Sequence, residues 1–261
     1  LGYREYHYRG EGEEAVAEID QQSGLGILRD PDYSVYEGLR NLGKLPPEVR
    51  AWVRSPRLLR VTKANRRSTV HRPVHLEVEE RVRVEVPAGY LDTVAVKRFD
   101  AAGKVVGEKL FVGLFTATAY SRSLRHIPLL RRKLDAALAA SGFAPGSYNG
   151  KTLLHILETY PRDELFQIDQ ADLQEIALGI LHLQERQRTA LFVRRDPFER
   201  FVSALVFVPK DRFDTNLRLR MQAIVADAFE GEVESYSTQI GDSPLARLHL
   251  VVRTECGKVP R

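Results

Sequence analysis

Residues 201–208 read FVSALVFV, and no other stretch constrains the fold as tightly. Successive side chains of a strand point to opposite faces, so Phe201, Leu205 and Phe207 share one side and Val202, Ala204, Val206 and Val208 the other. A strand with one face in water alternates polar with apolar residues. Both faces are apolar here, which predicts a central strand, burial on both sides of Val206, and a cover for the second face. That cover is expected from the first half of the chain, another subunit or a further domain. The segment ARLHLVVR does alternate, with Leu248, Leu250 and Val252 against Arg247, His249 and Arg253, so it is expected to keep one wet face.

The neighbouring segments complete a layered unit. Asp172 and Glu175 have capping-box spacing and precede an apolar stripe of Leu173, Ile176, Ala177 and Ile180, predicting a helix to about residue 187. TALFVRRD and RFVSALVFVPKD read as strands. Asp214 caps a helix striped with Leu217, Met221, Ile224 and Val225, and Gly231 ends it. VESYSTQIG then pairs with ARLHLVVRT across DSP. The order is α-β-β-α-β-β, an α+β sandwich expected to carry its helices on one sheet face.

Before residue 165 the pattern differs. GLGILRD suggests a short strand, Ser34 with Glu37 a capped helix over residues 35–41, and PPEVRAWV another. RLLRVTKA, residues 70–86, YLDTVAVKRFD and KVVGEKLFVGLFTA predict an antiparallel meander of four or five strands. Pro128 opens a helix ended by Gly142, and KTLLHILETY forms another stopped by Pro161. The domain boundary is expected at residues 162–170.

The hydroxyls Thr116, Thr118, Tyr120, Ser121 and Ser123 invite a catalytic reading. A nucleophilic serine needs a base and an orienting group, and only His126 lies near Ser123. The plainer reading is a strand ending near Thr118 and a polar turn leading into the next helix. Arg122, Arg125, Arg131 and Arg132 could serve an anion at that helix start, or form its solvated face. A second basic run holds Arg54, Arg57, Arg60, Lys63, Arg66, Arg67 and Arg72 without the stacking aromatics of a nucleic-acid groove, favouring a solvated strand or a domain contact.

His71 and His75 flank Pro73 in a β pattern and lack a third ligand, so zinc is not expected. Gly10-Glu11-Gly12 and Gly24-Leu25-Gly26 lack the third glycine of a dinucleotide fingerprint. No catalytic, cofactor-binding or metal-ligating residue is assigned. The single cysteine, Cys256, excludes an internal disulfide framework and fits a reducing, cytoplasmic setting. With 39 basic and 35 acidic residues the surface is mixed, so neither nucleic acid nor membrane is an expected partner. The chain opens on Leu1 and closes soon after a strand pattern, ends expected of a piece of a longer polypeptide.

Several stretches together resemble one family. SGLGILRD, VTKANRRSTVHRPVHL, VKRFDAAGKVVGEKLFVGLFTATAYSRSLRHIPLLRRK, YPRDELFQI and TALFVRRDPFERFVSALVFVPKDRFDTNLR are similar to the N-terminal part of the large bacterial NAD-specific glutamate dehydrogenases. The resemblance implies fold class α+β: an antiparallel-sheet PAS-like domain over residues 1–165, then a ferredoxin-like, ACT-like domain with a leading helix over residues 166–261. It implies a non-catalytic regulatory or assembly segment, with catalysis and NAD in the remainder of a homo-oligomeric parent. No catalytic residue of the family transfers to a position here. The other reading is a stand-alone module sensing an amino-acid effector.

Overall fold

The computed structural model describes residues 1–30, 35, 42–56, 59–63, 91–185 and 188–254. The chain divides into two compact units, Leu1–Tyr120 and Ser121–Arg261. Residues 121–165, expected with the first domain, fall in the second unit, because the helices Pro128–Ser141, Tyr148–Glu158 and Arg162–Gln167 pack there on one another and on Gln170–Glu185.

The first unit is an antiparallel sheet in the order β2-β1-β6-β5-β4. Its strands are β1 (Gly2–Arg9), β2 (Val16–Ile19), β4 (Leu59–Lys63), β5 (Asp92–Phe99) and β6 (Val105–Gly113), with the short β3 (Leu25–Gly26) on β1. The meander is therefore only part of the sheet: β1, whose Tyr6 and Tyr8 share one face, inserts between β2 and β6. The hairpin between β5 and β6 turns at Gly103, whose φ of 79° suits glycine. Helix α1 (Pro47–Val53) forms as expected behind Pro46 and Pro47. The helix predicted over 35–41 and the strand over 70–86 lie outside the described residues, as do His71, His75 and Cys256.

The second sheet runs β7-β8-β10-β9, from β7 (Ala190–Arg195), β8 (Phe201–Pro209), β9 (Glu232–Gln239) and β10 (Leu245–Arg253), every pairing antiparallel. Strands β8 and β9 both run against β10 and are joined by α7 (Thr215–Ala228), a split β-α-β unit. The element order is that of a ferredoxin-like domain with its first strand carried to the end of the chain. Asp214 caps α7 by accepting from the Leu217 amide at 2.7 Å.

Helix α7 covers one face of this sheet. Ala204, Val206 and Val208 of β8 and Leu248, Leu250 and Val252 of β10 pack with Met221 and Val225 into one core. The expectation of helices on one face fails on the other side. There α4 (Tyr148–Glu158), α5 (Arg162–Gln167) and α6 (Gln170–Glu185) form a second layer with α3 (Pro128–Ser141). A Cβ on Gly179 of α6 would sit 2.5 Å from the Phe192 ring of β7, so the glycine lets the helix cross that strand closely without displacing the ring. Residues 201–208 are accordingly all buried, Val206 at 5% exposure. The second cover comes from this unit's own helices.

Two further expectations are corrected. The helix stop at Pro161 begins α5, a short helix not foreseen, whose last carbonyls at Leu165, Phe166 and Ile168 accept from the Lys133 ammonium. The cap of α6 is Asp169, which accepts from the Asp172 amide at 2.9 Å, one turn before the predicted capping pair.

Candidate functional site

Ser123 and His126, weighed as nucleophile and base, serve local structure. Strand β6 ends at Gly113, and Thr118, Tyr120 and Ser121 fall on a short helix, α2 (Ala117–Ser121), with Thr116 just before it, rather than on a strand end. Ser123 then caps a single 3-10 turn over Leu124–His126 and donates to Glu158 Oε1 at 2.7 Å, while Glu158 Oε2 accepts from the Leu124 amide. His126 is exposed, as are Arg122, Arg125, Arg131 and Arg132, with Arg131 and Arg132 opposite the buried Leu130 and Leu134.

The second basic run is not simply a solvated strand. Arg60 is buried and meets Glu108 of β6 at 2.5 Å, with Lys97 of β5 at 2.7 Å from the other carboxylate oxygen and the Tyr8 hydroxyl donating at 2.7 Å. Burial pushes the Glu108 carboxyl up, but Arg60 and Lys97 overcome it and hold it well below the usual range. The aromatics missing from the basic run arrive from elsewhere in the chain. The Arg60 guanidinium lies 5.2 Å from the Trp52 ring centre and that of Arg54 5.7 Å from Tyr8.

A second polar seam crosses the face of the β7–β10 sheet that lies opposite α7, under the helical layer. Cross-strand register places Arg194 beside Ser203, and Leu205 between Phe192 and His249. Arg194 reaches up to α5 and donates to both oxygens of Glu164, at 2.6 and 2.9 Å. Burial pushes that carboxyl up, but Arg194 outweighs it and holds Glu164 in the charged form. Ser203 Oγ lies 2.9 Å from His249 Nε2, and burial lowers the His249 pKa despite nearby Glu164. Arg247 Nη1 donates to the Thr159 carbonyl at 2.7 Å. His249 and Arg247, expected on a wet face, thus lie under helices. The signal missed in the sequence was one serine, Ser203, within an apolar strand; its histidine partner is 46 residues away.

Beside this seam the helices and β10 leave a cavity of about 260 Å³ whose wall includes Tyr160, Ile180, Phe207 and Arg247. Among the described residues no group of three or more His, Cys, Asp or Glu side chains could hold a metal ion, and no helix is long and apolar enough to cross a membrane.

A ferredoxin-like sheet under a cap of helices is the combination in which the chain finds counterparts. Residues 127–186 match the model described as glutamate dehydrogenase, helical motif 1, and residues 190–261 that described as glutamate dehydrogenase, ACT2 domain. The join between the two matches falls between α6 and β7. The relatives are NAD-specific glutamate dehydrogenases. That of Halomonas elongata is 40% identical over 254 residues, covering 97% of this chain and 15% of the relative. That of Pseudomonas aeruginosa is 32% identical, with 98% and 15% covered, and that of Mycobacterium tuberculosis 34% identical, with 63% and 10%. The chain thus spans about 15% of the length of the first two.

Proposed function

We propose that this chain is a non-catalytic regulatory and assembly segment of an NAD-dependent glutamate dehydrogenase. The parent would convert L-glutamate, NAD and water to 2-oxoglutarate, ammonium and NADH, with NAD held by other domains. The observation that carries this reading is the pair of adjacent matches, helical motif then ACT2 domain, within a chain covering a small share of its relatives. The buried seam supports it: Arg194–Glu164 and Arg247–Thr159 tie the helical layer to the sheet, as a segment that transmits or braces position would need. The first unit, an antiparallel sheet interrupted by helical segments, is read as PAS-like, and the parent as a cytoplasmic homo-oligomer. The ACT2 match also favours a second reading, a module that senses an amino-acid effector.

The test is enzymatic and structural. The purified chain should form no NADH from glutamate and NAD, and a parent enzyme lacking this segment should lose its native assembly or its response to effectors. Glutamate-dependent NADH formation by the chain alone, or a truncated parent unchanged in both respects, refutes the reading. Calorimetry with amino acids separates the sensing module from a purely structural segment.

A further inference from the structure

The wall of the cavity between the helical layer and β10 holds a tyrosine hydroxyl and an arginine that meets no carboxylate among the described residues. Tyr160 is 4% exposed, lines the cavity, and its hydroxyl has no hydrogen-bond partner among the described residues. A hydroxyl on the wall of an open cavity can donate to a guest in place of water. Arg247 lines the same cavity, and its only side-chain bond among the described residues is to the neutral Thr159 carbonyl. Arg60, Arg194 and Arg200 each have a carboxylate within bonding distance; Arg247 has none among the described residues. Burial lowers its pKa to about 10, which leaves it charged at neutral pH. Ile156, Ile180, Phe207 and Leu245 give the wall an apolar side, and His155, Gln239 and Ser243 also line the cavity.

We propose that this cavity binds a small monocarboxylate with an apolar body, the carboxylate held by the Arg247 guanidinium and the Tyr160 hydroxyl. Two donors and one cation match one carboxylate group. A doubly charged anion fits less well, because one charge would go uncompensated and Asp242 stands exposed at the rim. The volume is near the lower end of ligand cavities, roughly 300 Å³, which limits the guest to a short chain or a single ring. The site lies between helices and sheet of one unit, so it exists whether or not the parent reading holds, and it is tested on the chain itself.

The experiment is an amide NMR titration of the 261-residue chain with isocaproate and benzoate. Saturable shifts should cluster around Tyr160, Ile180 and Arg247. Isohexanol, which lacks the charge, and inorganic phosphate should each bind at least about tenfold more weakly. Arg247→Gln should weaken isocaproate about tenfold or more, and Tyr160→Phe, which removes one oxygen from the cavity wall, by about threefold or more. If Arg247→Gln does not fold, Tyr160→Phe and the cavity-filling Ile180→Trp carry the test. Leucine, which adds an ammonium to the isocaproate skeleton, separates an amino acid from a simple acid as the source of the carboxylate, and its loss in the same variants supports the site. Shifts that do not saturate, shifts centred elsewhere, equal affinity in the folded variants, or phosphate binding as tightly as isocaproate overturns the proposal.

Discussion

Arg194 on β7 and Glu164 on α5 form a two-point ion pair, Nε to Oε2 at 2.6 Å and Nη2 to Oε1 at 2.9 Å, with both side chains under 7% exposed. The pair joins the helical layer to the sheet across the covered face. Its worth lies in being complete: a buried pair is near break-even against apolar packing, whereas half of one is costly. Glu164→Gln should therefore destabilise the chain by about 3–5 kcal/mol, because the Arg194 charge stays buried without its partner. The double variant Glu164→Leu with Arg194→Met should recover most of that loss. Urea unfolding of the three proteins checks this, and a single variant within about 1 kcal/mol of wild type would show that the pair does not hold the layers together.

Stability should fall on the acid side in two steps. His249 is depressed by burial below its ordinary value near 6.5, so the unfolded chain takes up a proton that the folded chain refuses. Stability is then full above about pH 6.5 and declines as pH drops through the lower folded value. Glu164 is also depressed, so its contribution is present above the ordinary carboxylate range and is lost below it. His249→Gln should remove the first decline and leave the second. Melting temperatures measured from about pH 8 to about pH 2 decide the matter: a first step unchanged in the variant would assign it to another group.

Ser123→Ala should cost about 1 kcal/mol, the typical worth of a capping hydroxyl. The bond to Glu158 supports the same turn, so the loss is one of stability. Exposure of the wild-type chain to a serine-directed fluorophosphonate should leave Ser123 unlabelled, and a Ser123 adduct in the mass spectrum would restore the nucleophile reading.

Val206→Asp places a carboxylate against Met221 and Val225 with no cation in that core. The expected loss exceeds about 3 kcal/mol, since an unpaired buried charge is among the most costly substitutions. The damage should appear as undocking of α7 from the sheet within a single chain, rather than as a change in subunit association. Hydrogen exchange over residues 215–228 tests this, and protection unchanged from wild type would refute it.

What the sequence determined by itself was local and periodic. The alternation in ARLHLVVR, the cap at Asp214, the glycine stop at Gly142 and the doubly apolar FVSALVFV placed strands, helices and the central position of β8. These signals live within a few residues, where backbone geometry and side-chain period act directly. Tertiary structure decided what covered each face, because that depends on which distant segments meet. The second cover of β8 draws on α4 and α5, which the sequence assigned to the other domain, as well as on α6. His249 became buried because those helices lie over it, although its own strand reads as half wet. Glu164 and Arg194, 30 residues apart, and Tyr160 and Arg247, 87 apart by number, acquired their roles only when α5 and the adjoining segment settled on the sheet. Burial turns an ordinary surface charge into one that must find a partner, and no periodicity in the chain records which partner that will be.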